Sequence, residues 1–339
     1  MQNRIDKLTF LSFWMTLLIV IYHLSPHLLK INNICTVYIT NFVETFGSIS
    51  LNYFFAISAY NFFKSSKTYK KKIQSRIVTL LLPFFLWNTM YIPLYYFTKG
   101  LPSFVQILKG FSLEPFDGPF WYIFVLYIFF LLSSKIIQKL FDKKYFIIII
   151  LCLCVLSAYF HMLILTNKLN FLYDYWLERN IRMLPAYLFG CYYGYKKSKI
   201  KIENINKRVI FCVGIILPMF IATISGDGFI STLVLYVCTL SIYILTPNIV
   251  LKNNSMFKQN VFITYAIHEG LIIIYIYVLN KYNLIQNGLI YYVGFLIMGL
   301  IIILVITLIL NSIISLDSSN LLNLFLTGGR CKKNRDNSY

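Results

Sequence analysis

The chain of 339 residues is 58% hydrophobic and 18% aromatic with only 13% charged side chains, where soluble proteins average roughly 25% charged. That composition excludes an ordinary soluble enzyme and makes the number of apolar runs near 20 residues, not length, the guide to organisation. The formal charge of +19 does not point to nucleic acid, because the basic residues sit in short loops between apolar runs, where they set orientation and meet anionic lipid.

The fold class expected is an all-α polytopic membrane protein of about ten transmembrane helices. The first run, Leu8 to Ser25, lacks a small-residue cleavage site and reads as a retained span. It ends near His23. An ionisable ring at membrane depth costs on the order of 2.5 kcal/mol or more unless neutral, paired or wetted, so a functional site is the default reading. The alternative is a neutral ring near the outer interface, bonded to a backbone carbonyl. Ser12 lies eleven positions before His23, about 16 Å deeper and about 20° round a helix axis. Ser12, Thr16 and His23 therefore share one polar stripe, lining a helix contact or a watery cavity.

Further spans are expected at Phe46 to Phe63, Ile77 to Phe97, Trp121 to Ile137, Tyr145 to Leu165, Met183 to Tyr195, Val209 to Ser225, Phe229 to Thr246, Val261 to Leu279 and Leu289 to Ile314. The sixth is short, broken by Pro185, Gly190 and Gly194, and has a possible earlier start near Phe171. Its two glycines form a small-xxx-small pair of the kind that brings helices close. Strongly basic segments follow spans two (Lys64 to Arg76), four (Lys135 to Lys144) and six (Lys196 to Arg208), with Lys252, Lys258 and a basic tail beyond. By the positive-inside rule these are cytoplasmic, as are both termini. Residues 1–318 then form one transmembrane domain and 319–339 a basic cytoplasmic tail. A multi-pass protein of the cell (cytoplasmic, inner) membrane is implied, with lipids as partners and no nucleic acid.

The longest outer loop, Thr98 to Phe120, carries Glu114 and Asp117 and either helps bind an acceptor or packs over the bundle mouth. Seven cysteines, mostly in or beside apolar runs, suggest no disulfide framework. Cys152 and Cys154, two apart on a helix, point to nearly opposite faces, so no metal site is expected there. The ninth span contains His268 followed by Glu269. About 100° apart on a helix, the two need not bond each other, but both should face the interior. His27 and His161 read as interfacial, and Trp121, Tyr122 and Trp176 as interfacial anchors.

Several patches together resemble the acyltransferase-3 family of membrane O-acyltransferases. They are Ile21-Tyr22-His23 closing the first helix, Phe54-Phe55-Ala56-Ile57-Ser58-Ala59-Tyr60 in span two, Arg76 with Pro83 and Trp87 at span three, Pro119-Phe120-Trp121-Tyr122 at span four, Arg182-Met183-Leu184-Pro185 with Gly190, and Tyr265-Ala266-Ile267-His268. Ser12 and Thr79 stand where the family carries arginines. Serine and threonine cannot supply the bidentate phosphate contacts of a guanidinium, so the donor grip is weakened there.

The resemblance implies acyl transfer, most simply of acetyl, from cytoplasmic acetyl-CoA or another acyl-CoA to a hydroxyl of a cell-envelope glycan or lipid-linked sugar. It assigns His23 the role of general base or transient acyl carrier, and the polar positions Ser12, Thr16, His268, Glu269, Trp121 and Arg182 are expected to support it. Lys71, Lys72 and Arg76 would meet the donor phosphates. The donor is a substrate, and neither a resident cofactor nor a metal is expected. The alternatives are a transporter or flippase for a small metabolite or lipid-linked sugar, and an inactive relative.

Overall fold

The computed structural model describes residues 3–28, 34–112, 114–133, 140–141, 145–166, 175–196, 228–245, 254–284, 289–316 and 321–329, with scattered positions from 209 to 220. In chain order the helices are α1 (Asn3–Leu28), α2 (Ile34–Lys64), α3 (Tyr69–Arg76), α4 (Leu82–Lys99), α5 (Phe104–Gly110), α6 (Trp121–Leu132), α7 (Phe146–Leu165), α8 (Tyr175–Lys196), α9 (Gly228–Leu245), α10 (Asn254–Lys281), α11 (Leu289–Leu316) and α12 (Leu321–Thr327). Among the described residues there is no strand. That suits a chain this apolar, because a helix pairs its own backbone groups where lipid offers no water.

Five helices are long and apolar enough to cross a membrane, at Leu8–Leu28, Tyr69–Lys99, Phe146–Ile164, Val261–Lys281 and Leu289–Leu316. They coincide with the first, third, fifth, ninth and tenth expected spans and bear out an all-helical, multi-pass protein. Shorter apolar helices, Gly118–Leu132 and Thr232–Ile242, fall where the fourth and eighth were expected. Most of the seventh span, the basic segments 135–139, 143–144 and 197–208, and the tail from 330 lie outside the described residues.

The helices fall into two compact units. Unit 1 comprises Met1–Tyr22, Asn32–Lys67 and Leu132–Val250. Here α8 is longer than the sixth span read from the sequence, running from Tyr175 through Pro185 to Lys196. It lies against α2 with almost nothing between the backbones. A Cβ on Gly190 would stand 2.0 Å from the Ala56 carbonyl oxygen, and one on Gly194 2.5 Å from that of Tyr60. Hydroxyls in this unit pair with one another, Ser133 with Tyr187 at 2.6 Å and Ser157 with Tyr236 at 2.8 Å. Tyr236 in turn donates to the Arg182 carbonyl at 2.7 Å. Such pairing answers the cost of taking a hydroxyl into an apolar surround.

Unit 2 comprises His23–Ile31, Thr68–Leu131 and Leu251–Tyr339. Its spine is one rod from Tyr69 to Lys99, in which a π turn over Ile77–Leu81 joins α3 to α4. Pro83 explains the turn. It has no N–H for the carbonyl four residues back, and its ring would crowd that carbonyl, so the helix widens just ahead of it. Gly100, at φ 87°, ends the rod. The loop after the rod then folds back through α5, whose Ser103 and Gln106 form a capping box.

Asn88, wholly buried, fixes the loop's return. Its Nδ2 donates to the Phe84 carbonyl and its Oδ1 accepts the Phe116 N–H, each at 2.9 Å. From the adjacent position on the rod, the Trp87 indole N–H donates to the Leu326 carbonyl at 3.0 Å. A Cβ on Gly328 would approach the Thr79 Cα to 2.7 Å. Residues 321–329, the opening of the segment read as a tail, are thus packed structure within unit 2.

Candidate functional site

Within unit 2 the end of α1 contributes His23, α10 contributes Tyr265, His268 and Glu269, α4 contributes Tyr91, and the loop before α6 contributes Asp117. His23 and His268 are 245 positions apart in sequence, yet their ring centroids are 5.2 Å apart with the planes inclined at 55°. His23 Nδ1 lies 3.7 Å from Glu269 Oε2. The His23 and Glu269 side chains are 29% and 21% exposed, whereas His268 is wholly buried. The cluster therefore has an open side and a closed one.

The closed side is held firmly. His268 Nδ1 donates to the Tyr265 carbonyl at 2.7 Å, one turn back on its own helix. The Tyr265 hydroxyl donates to the Pro119 carbonyl, and its ring stacks on Phe120 at 5.7 Å. The Tyr91 hydroxyl donates to the Ala266 carbonyl and accepts from the Gly270 N–H, both at 3.0 Å. Those are two groups that a helix pairs at i and i+4, so one phenol grips the turn that carries His268 and Glu269. Gly270 allows it, since a Cβ there would already be 3.0 Å from the Tyr91 hydroxyl.

Asp117 sits in the loop between α5 and α6 and is wholly buried. Burial raises its pKa well above the usual carboxylate range, and the charge of Glu269 raises it further, against a smaller lowering by the Tyr91 hydroxyl. The sequence places Asp117 in a loop that either helps bind an acceptor or packs over the bundle mouth, and it does not single out Tyr91. The signal that could have found Asp117 is its position two residues before Pro119, on whose carbonyl Tyr265 closes.

Chemically, an imidazole beside a carboxylate is the pairing that orients a base. A carboxylate accepting from Nδ1–H leaves Nε2 with its lone pair. The separation of 3.7 Å is looser than a hydrogen bond, as such pairs often are before substrate tightens them. His23, His268 and Glu269 also offer one metal-ligating atom each, all within 4.8 Å of one another.

The remaining sequence-derived residues are distributed as follows. Lys71, Lys72 and Arg76 lie on α3 in unit 2, Lys71 exposed and the other two half-buried. The Arg76 guanidinium sits 5.3 Å from the centre of the Phe130 ring. Fifteen positions separate Arg76 from Tyr91, about 22 Å along the rod. Trp121 is buried at the start of α6. Ser12, Thr16 and Arg182 belong to unit 1. There Thr16 donates to the Ser12 carbonyl at 2.9 Å, and the Ser12 hydroxyl lies 3.5 Å from that of Tyr53. An apolar groove of about 350 Å³ in unit 2 is lined by Tyr91 and Gly270 but by none of His23, His268 and Glu269.

Compared with known proteins, residues 6–308 match the family model described as an acyltransferase domain. No curated protein and no solved structure matches the chain.

Proposed function

The chain belongs to the acyltransferase-3 family, whose model spans nearly all of it, and within that family of membrane acyltransferases we propose an O-acyltransferase with His23 as its general base. The acyl group, acetyl in the simplest case, comes from a cytoplasmic acyl-CoA and goes to a hydroxyl of a cell-envelope glycan or lipid-linked sugar. The single observation that carries this reading is the His23 ring, partly exposed and 3.7 Å from Glu269. Glu269 orients the ring by accepting from Nδ1, and Nε2 takes the proton of the acceptor hydroxyl as its oxygen attacks the thioester carbonyl. The thiolate of the donor leaves as the tetrahedral adduct collapses, and the proton on His23 passes to it. Lys71, Lys72 and Arg76 meet the donor phosphates from the basic end of the rod. Membership of the family supports the reaction class, and the chemistry of His23, the one ionisable group on the open side able to act as a neutral base, supports the role.

Positioned proton transfer typically contributes about 100-fold to 10,000-fold. The test compares envelope glycans by mass spectrometry from cells with the wild-type gene, the gene deleted, and His23→Ala. A single acyl mass increment, present in the first and lost in the other two, is expected. An increment that survives His23→Ala removes the assigned base. Unchanged glycan mass on deletion, together with lost uptake of a small metabolite, replaces transfer by transport.

A further inference from the structure

Two acceptor atoms of the cluster are buried without a hydrogen bond in the protein. His268 Nδ1 is bonded to the Tyr265 carbonyl. A carbonyl only accepts, so Nδ1 carries the proton and Nε2 is the bare nitrogen. That nitrogen is buried and hydrogen-bonds to nothing in the protein, and the same holds for Glu269 Oε2. Two acceptors buried without a donor are costly, and a bound cation satisfies both at once, as a bridging water also does; the ligand set separates the two.

The donor set and spacing suit such an ion. Two imidazoles and one carboxylate form a zinc ligand set that leaves a fourth position open. Bonds of about 2.0–2.2 Å set ligand atoms about 3.4 Å apart at tetrahedral angles. His23 Nδ1 and Glu269 Oε2 stand 3.7 Å apart, and the widest separation in the trio is within 4.8 Å. The closing movement falls to the two partly exposed side chains, while His268 is already locked. Its Nδ1–H on a backbone carbonyl is the support that fixes the tautomer behind a metal-binding histidine. Imidazole pairs also discriminate against magnesium and calcium, which prefer oxygen alone.

We infer that His23, His268 and Glu269 form a binding site for one divalent transition ion of the zinc type, entering from the exposed side. The site itself stands on geometry; its consequence rests on the catalytic role given to His23. A His23 ring that gives its lone pair to an ion no longer has Glu269 to orient it or a free nitrogen to take a proton. Ion-loaded chain is then inactive, and removal of the ion restores transfer.

The experiment uses the full chain in detergent, purified through an affinity tag that contains no histidine and stripped with a chelator. It is then equilibrated with zinc sulfate and analysed for bound zinc, with cobalt(II) absorption reporting coordination number. About one ion per chain is expected, with binding lost in His23→Ala, His268→Gln and Glu269→Gln and kept in His161→Ala, a histidine of unit 1. Because His268→Gln could disturb the buried wall, thermal stabilisation by zinc is followed in parallel. It is expected in the wild type and absent in His23→Ala, a change at a partly exposed position. Zinc below about 0.1 per chain in the wild type overturns the site, and so does full occupancy in all three cluster variants. Transfer that runs while zinc never binds removes the site and leaves the transferase standing. Stoichiometric zinc on a chain that transfers nothing even when stripped removes the transferase reading and leaves the site.

Discussion

Both units pair buried hydroxyls, but the cluster of enclosed imidazole and carboxyl groups lies in unit 2. In unit 1, Ser133 meets Tyr187, Ser157 meets Tyr236, and Tyr236 meets a backbone carbonyl. Its tightest contact is made by two glycines against main chain. Unit 2 also pairs a buried hydroxyl, Ser25 with Tyr292 at 2.6 Å, and encloses Asn88, but it adds buried ionisable groups. His268 and Asp117 are wholly enclosed, Glu269 lies beside them, and tyrosines 91 and 265 are spent on holding the backbone that carries them. Hydroxyl pairs close helices together and take up part of each hydroxyl's bonding capacity. Enclosed acids and imidazoles cost free energy and persist where chemistry needs them.

The sharpest break of that contrast is Glu269→Gln, which keeps the side-chain shape and removes the carboxylate. Transfer is expected to fall at least about 100-fold, by analogy with amide replacement of the acid that orients a catalytic histidine. Ser157→Ala in unit 1 is expected to leave transfer per folded chain unchanged. Glycan mass increments normalised to membrane-inserted protein report both.

Next come the glycines. Gly190→Ala drives a methyl into the Ala56 carbonyl, a backbone group that cannot swing aside, and should cost about 1–3 kcal/mol of stability. Gly270→Ala meets only the end of Tyr91 and should cost less stability and more activity. Thermal unfolding in detergent beside the transfer assay separates the two, and equal losses of activity per folded chain would dissolve the contrast.

Asp117 gives a pH signature. Its folded-state pKa is raised by burial and by Glu269, so its contribution to stability is complete below the ordinary carboxylate pKa of about 3.9. That contribution is lost as pH rises through the raised folded value. Wild type should therefore lose thermal stability relative to Asp117→Asn as pH increases through that window, and parallel curves would show that Asp117 does not titrate in folding. The smallest effect expected is Trp87→Phe, which deletes the bond to the Leu326 carbonyl for about 1 kcal/mol. Faster proteolysis after residue 316 would register it.

Much of this was legible in the sequence, for identifiable reasons. Apolar runs and Pro, Gly and Lys punctuation located most helices, and the expense of an ionised group in lipid singled out His23, His268 and Glu269. Their meeting was not legible, because no periodicity links positions 23 and 268. Asp117 and Tyr91 escaped for a different reason. Each looks ordinary in its local segment, and only the return of the α5–α6 loop onto Asn88 encloses the one, while the other turns toward Gly270. Ser12 and Thr16 were open between helix contact and cavity, and both hydroxyls now have partners within unit 1.

The π turn ahead of Pro83 has a consequence for reading relatives of this chain. A π turn is an α-helix with one residue added, so every side chain on its N-terminal side is rotated relative to those beyond it. Counting three places from Arg76 to Thr79 crosses that added residue, and an alignment that keeps constant spacing there pairs side chains pointing in different directions. Homologues without a proline at the position of Pro83 should be aligned with a one-residue gap in this stretch before any guanidinium is declared missing.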